Sequence, residues 1–160
     1  MAEAAQTPPE GTAPAAATPG VWIDPYRAYN FKLVIQGVTI GHFTECTGLG
    51  VRVQALKYQE GGGHVVHRIP GPLDFADVTL RYGLTSSTEL WTWFMSGVEG
   101  RVDRRNVSVL MLETDDMTEA LRWDLIDAWP SEWRGAPLDA LGREVAIESM
   151  TLVYESLVRA

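Results

Sequence analysis

The sequence holds a single cysteine, Cys46, so no intrachain disulfide can form. A disulfide-stapled secreted scaffold is excluded, assembly in a reducing cytoplasm is compatible, and Cys46 itself reads as a small buried hydrophobe. Long apolar runs are missing too: none approaches the roughly 18–20 residues of a membrane span. Residues 1–20 have neither the basic start nor the apolar centre of a signal peptide, so neither a membrane anchor nor signal-directed export is expected. Basic residues are few, 13 Lys plus Arg against 21 Asp plus Glu for a formal charge of −8. That balance argues against a protein that grips nucleic-acid phosphates over a broad surface.

The motifs of catalysis and metal binding are equally scarce. In His64-Val65-Val66-His67 the separation is odd, so on a strand the two imidazoles would point to opposite faces and could not chelate one ion. His42 is distant and no second cysteine exists, so no metal or other cofactor is expected. Gly48-Leu49-Gly50 and Gly61-Gly62-Gly63 lack the Gly-Lys-Ser/Thr of a phosphate loop and read as turns. Asp115-Asp116 lacks the alternating oxygen ligands of a calcium loop and reads as a hairpin tip. No nucleophile elbow is present, and the expectation is a protein without enzyme activity.

What is there is one domain's worth of β-forming sequence behind a leader. Residues 1–20 are Ala, Pro, Thr and Gly with only Glu3 and Glu10 charged, a composition that reads as a flexible tail, leaving 21–160 as the folded domain. From Tyr29 the alternation sets Tyr29, Phe31, Leu33 and Ile35 on one face against Asn30, Lys32 and Val34. Gln36-Gly37 then offers a tight turn into a strand at 38–40. Further strands are predicted at 50–58, 64–69, 76–82, 107–112, 121–126 and 144–154, implying a mainly β protein, an antiparallel barrel or sandwich. One helix is predicted over 87–96, opened by the capping box Ser86-Ser87-Thr88-Glu89 and ended near Gly97, with Leu90, Trp91, Phe94 and Val98 as its apolar stripe. Trp91 and Trp93 point in different directions on such a helix, so they cannot both occupy the centre of the stripe: either the helix plugs an open barrel end with its aromatics, or one of the two is an interface residue. Together with Trp123, Trp129 and Trp133 they could overfill a monomer's core, which suggests self-association.

Ordered motifs sharpen this picture. The chain opens with Asp24-Pro25-Tyr26-Arg27-Ala28-Tyr29-Asn30-Phe31-Lys32-Leu33-Val34-Ile35-Gln36-Gly37 and closes with Gly142-Arg143-Glu144-Val145-Ala146-Ile147-Glu148-Ser149-Met150-Thr151-Leu152. Between them lie Phe43-Thr44-Glu45-Cys46-Thr47-Gly48-Leu49, Tyr58-Gln59-Glu60-Gly61-Gly62, Leu90-Trp91-Thr92-Trp93 and Asp127-Ala128-Trp129-Pro130. In order and spacing, over residues 24–157, this set resembles the inner tail tube proteins of contractile phage tails and of phage-tail-like, extracellular contractile injection systems. The Ala/Pro-rich leader and the bulky segment 129–135 depart from the resemblance.

The resemblance implies hexameric rings whose inner strands join around a lumen, stacked through an extended hairpin arm. Closure of that kind shares sheet edges between neighbours. The arm is expected at 48–72, where Val51, Val53, Leu56 and Tyr58 precede the triple glycine and Val65, Val66 and Ile69 follow it; Tyr58, Glu60, Gly61, Gly62 and Val65 are its expected inter-ring contacts. Alternation nominates Lys32, Gln36, Arg81, Asp124 and Glu148, with Thr79 and Glu144, as lumen-facing, mixed in sign with acids in excess. The implied function is structural: sheath contraction would drive a hollow conduit through a target envelope, carrying DNA or protein effectors. The implied partners are further copies of the chain, a contractile sheath protein, baseplate and tail-terminator proteins and a transient luminal cargo. Assembly in the bacterial cytoplasm, within a phage tail or a released particle, is implied as well. The alternatives are a tube-initiating baseplate ring of the same family and a monomeric β-sandwich binding module.

Overall fold

The protein is described by a computed structural model over residues 28–36, 43–84, 86–113 and 117–160. The 1–20 tail, Gly37, the strand expected at 38–40, His42 and the Asp115-Asp116 tip lie outside the described residues. Among the described residues the elements run β1 (Phe31–Ile35), β2 (Phe43–Thr47), β3 (Val51–Gln59), β4 (Val66–Phe75), β5 (Val78–Gly83), α1 (Glu89–Val98), β6 (Arg105–Leu112), β7 (Glu119–Arg134), β8 (Ile147–Val153) and β9 (Ser156–Arg159).

Every pairing is antiparallel. Seven strands form one sheet in the order β1-β6-β7-β8-β5-β2 with β9 also on β7, while β3 and β4 pair with each other. The long β7 makes this arrangement possible. Its first part pairs β6 on one edge and β9 on the other, and its last part pairs β8. Between them Asp127 takes φ 52, its N–H donating to the Asn106 Oδ1 at 3.2 Å. One strand thus belongs to two walls, the first made with β1, β6 and β9, the second with β2, β5 and β8.

The walls close on a single core. Leu33, Ile35, Val107, Val109 and Leu125 come from the first wall, and Val78, Leu80, Met150 and Leu152 from the second. Leu90 and Trp93 of α1 join the same cluster. Burial of side chains of this size contributes roughly 1.5–3 kcal/mol each, which makes the core the main source of stability. The expected mainly β, antiparallel architecture with one helix is what the structure shows.

Several local expectations are corrected. Tyr29 precedes the first strand and is exposed. β4 continues through Pro70 and Pro72 because a two-stranded ribbon has a free outer edge, where proline's missing N–H costs nothing. β7 likewise runs past the expected end at Ile126, with the ladder shifting register between Pro130 and Glu132. β8 starts at Ile147, leaving Glu144 and Val145 in the preceding connection, and the short β2 and β9 had no alternation to reveal them. The capping box does not form: α1 starts at Glu89 after Thr88, with no side-chain cap bond.

The helix end and its inner face are corrected as well. Gly97 lies within α1. The helix closes one turn later, where Arg101 N–H donates to Ser96 O at 2.8 Å and Gly100 N–H to Gly97 O at 3.1 Å, with Gly100 at φ +83, a Schellman ending. The stripe is Leu90 and Phe94, as expected, with Trp93 in place of Trp91 and Val98. Trp93 is 1% exposed and its Nε1–H donates to Asp103 O at 2.6 Å, whereas Trp91 is 43% exposed and meets Trp133 edge-on at 4.7 Å.

Candidate functional site: a projecting arm and two outer walls

β3 and β4 form a hairpin that no third strand joins among the described residues. Isolated two-stranded ribbons are marginal in water, so such an arm is built to be covered. Its root is held firmly. Tyr154 Oη donates to Gly50 O at 3.2 Å, Ala76 N–H donates to the same oxygen at 3.0 Å, and the Phe75 ring lies 5.6 Å from that of Tyr154.

Cross-strand register distributes the arm's apolar residues unevenly. Near the root, Val51 faces Phe75, Val53 faces Leu73 and Ala55 faces Pro70 on one face, with Arg52 and Asp74 behind. Toward the tip the pattern changes sides: Leu56 faces Ile69 and Tyr58 faces His67 on the second face, with Lys57 opposite Arg68 on the first. The ladder shifts register between Val53 and Ala55, opposite Gly71, where a Cβ would stand 2.8 Å from Gln54 O. Only glycine fits there.

The five expected contact residues all gather at the tip. Tyr58 and Val65 flank the turn that carries Glu60, Gly61 and Gly62, closed by Gly63 N–H to Glu60 O at 3.0 Å and by Gln59 Nε2 to Gly63 O at 2.7 Å. Tyr58, Val65, Val66 and Ile69 are exposed. His64 lies in the turn before β4, so the expectation that both imidazoles sit on a strand is corrected; only His67 does.

The five expected lumen residues do not share a surface. Lys32 and Asp124 lie on the outer face of the first wall, where Ser108 Oγ donates to Asp124 Oδ1 at 2.5 Å and Arg122 Nε to the same atom at 2.8 Å. The Ser108 hydroxyl first, then Arg122, hold the Asp124 carboxyl below the usual range. Gln36 sits beyond the end of β1 on that side, near Asn106. Arg81 is on the outer face of the second wall, paired with Glu45 at 3.1 Å. Glu148 stands opposite Tyr82, on the core side of β8, and is corrected from the lumen set. Burial, then Glu148, push the Tyr82 phenol up to about 12.

Around Arg81 and Thr79, both nominated from the sequence, the register assembles two polar rows whose other members sequence reasoning missed. One runs Glu132, Thr151, Thr79, Thr47 across β7, β8, β5 and β2; the next runs Arg134, Ser149, Arg81, Glu45. Arg134 pairs with Glu132 at 2.8 Å, so the charges on this face balance. The first wall's outer face, by contrast, carries exposed Val34 and Val158 among its polar groups. Cys46 is half-buried against the core, and burial raises its thiol to about 11. No cluster of three or more potential metal ligands occurs among the described residues, and no described helix is long and apolar enough to cross a membrane.

An antiparallel β body with a firmly rooted apolar arm, uncovered among the described residues, is the architecture of a structural subunit. The sequence over residues 27–158 matches the family of the T4-like virus tail tube protein gp19, and the chain belongs to that family of structural tube proteins. The fold agrees with solved structures. A chain of the extended sheath–tube complex of the extracellular contractile injection system PVC superposes with TM-score 0.78 at 22% identity, covering 85% of this chain and 91% of that one. The tube-terminating cap of the anti-feeding prophage gives TM-score 0.82 at 18% identity, covering 91% and 97%. A chain of that particle's baseplate gives 0.72 at 20%, covering 87% and 97%. No curated protein matches significantly.

Proposed function

We propose that this tail tube protein forms hexameric rings that stack through the β3–β4 arm into the inner conduit of a contractile injection particle or phage tail. The observation that carries the reading is the arm, apolar on both faces and rooted in the core through Tyr154 and Phe75. β1 and β2 each have a strand neighbour on one side only among the described residues, and pairing with adjacent subunits would complete both edges. Tyr58, Glu60, Gly61, Gly62 and Val65 make the inter-ring contact in this reading.

The bore is lined by the two polar rows around Arg81. A bore must not hold its cargo, and this face offers hydroxyls and self-paired charges where the first wall offers exposed valines. Lys32, Gln36 and Asp124 then face outward, where a contractile sheath would pack. Baseplate and terminator proteins meet the tube's ends, and protein effectors or DNA pass through it. The subunit has no catalytic role. It assembles in the bacterial cytoplasm, with residues 1–20 as a tail dispensable for ring formation and 21–160 as the tube domain; the family match beginning at residue 27 supports that division.

Light scattering and electron microscopy of the purified protein at micromolar concentration test this reading. Hexamers or stacks are expected, with or without residues 1–20. A strict monomer overturns the assignment.

A further inference from the structure

The connection between β7 and β8, residues 135–146, carries three of the four most exposed large apolar side chains among the described residues: Leu141 is 94% exposed, Leu138 85% and Val145 78%, the fourth being Met117 at 87%. It is nevertheless shaped. Asp139 turns it by accepting Leu141 N–H on Oδ1 at 3.0 Å and Gly142 N–H on its carbonyl at 3.2 Å, and Ala146 O accepts Leu84 N–H at 2.9 Å. A turn so constrained, holding leucines out in water, is a surface waiting for a partner.

Its place in the barrel says which partner. The arm is rooted beside Val78, at the start of β5, whereas the connection meets Gly83 and Leu84, at its end. The two apolar features therefore stand at opposite ends of a strand about 17 Å long by its six residues. One chain cannot bring its own arm onto its own connection, but a second copy placed end to end can. The charges agree. Arm residues 51–75 hold three cations (Arg52, Lys57, Arg68) against two anions (Glu60, Asp74), which leaves ten cations against nineteen anions on the rest of the chain. The connection itself holds Asp139 and Glu144 against Arg143, one anion in excess.

Resting on the tube reading, we infer that the arm of one copy docks on the 135–146 connection of a second copy in the next ring, with Leu138, Leu141 and Val145 as its seat. The contact is heterologous, joining unlike ends, so it does not close on itself and propagates as an open stack. A ring that only ended a tube would need one such end; this chain carries both.

Complementation between two defective rings tests the inference. Rings of Tyr58→Asp have a spoiled arm and an intact seat; rings of Leu138→Asp/Leu141→Asp have the reverse. Each variant alone is expected to give single rings with an unchanged circular-dichroism spectrum. Mixed after separate purification, they are expected to form pairs of rings and nothing longer, since only one of the two end surfaces on each ring is functional. Normal stacking by the leucine variant assigns the connection to another protein and overturns the inference, as does a mixture that stays as single rings. In both cases wild-type stacks leave the tube reading standing. A wild type that gives only single rings overturns the inference, and a strictly monomeric wild type overturns the tube reading itself.

Discussion

A Cβ placed on Gly48 would stand 2.1 Å from the carbonyl oxygen of Asp77, at a backbone φ of +93. Gly48 leads into the arm and Asp77 leads out of it, so the two backbones pack directly on each other where the arm leaves the body. Strain and overpacking of about 1–3 kcal/mol each make Gly48→Ala destabilising by roughly 3 kcal/mol. Gly61→Ala, at the arm's tip with nothing within 4 Å of the added carbon, is expected to leave stability unchanged. Chemical denaturation of both variants measures the difference; equal midpoints would show that the backbone approach at Gly48 tolerates a side chain.

The two helix tryptophans should respond in opposite ways. Trp93→Ala empties a fully buried site and is expected to cost about 3–5 kcal/mol. Trp93→Phe keeps most of the volume but abandons the bond to Asp103 O, for about 1–3 kcal/mol. Trp91→Ala removes mainly the ring pair with Trp133, about 1 kcal/mol. Thermal unfolding ranks the three, and a larger loss at Trp91 than at Trp93 would reverse the assignment of the core face.

Much of this was legible in the sequence, for physical reasons that differ by element. The alternation of β1 could be read because its sheet buries one side, as Leu33 and Ile35 confirm. The arm could be read because apolar residues flanking a triple glycine exceed what a tight turn needs. β7 could not, since Trp129-Pro130 looks like a strand end until a bulge accommodates it. Nor could the faces of different strands be matched. Alternation separates the two sides of each strand but does not say which side of β1 corresponds to which side of β5 or β8, so Lys32, Arg81 and Glu148 were grouped although they lie on three different surfaces. The connection at 135–146 carries a signal of its own in the sequence: Leu138 and Leu141 stand among Gly, Pro and Asp, with no strand period to bury them.

Alkali should unfold the protein through Tyr82 and Cys46. Burial raises the phenol from 10.0 to about 12 and the thiol from 9.0 to about 11. A group raised in the folded state contributes stability that is complete below its unfolded value and lost as pH climbs toward the folded one. Stability is therefore expected to be level up to about pH 9 and to fall between there and pH 12. Denaturant titrations across that range should show a shallower fall for Tyr82→Phe than for the wild type. At pH 8 native Cys46 should react with a thiol reagent far more slowly than it does in the unfolded chain; equal rates would mean the thiol is not shielded.

The last expectation concerns the bore and separates the two walls. Glu45 and Glu132 balance Arg81 and Arg134 on the outer face of the second wall, so Glu45→Lys with Glu132→Lys turns a neutral face into one with four cations and no anion. Repeated around a ring and along a stack, that face would bind phosphates by releasing their counterions, and the binding would weaken steeply with salt. Tubes of the double variant purified from cells should therefore retain nucleic acid, seen as a raised 260 nm absorbance that high salt removes. Where the bound strand lies decides the matter: nucleic acid inside a bore escapes added nuclease, whereas nucleic acid on the outside does not. Asp124→Lys, on the first wall, supplies the control, because any nucleic acid it gathers should be digested. Protection by the Asp124 variant, together with digestion in the Glu45 and Glu132 variant, would exchange the walls and put the Ser108, Arg122 and Asp124 network inside the tube.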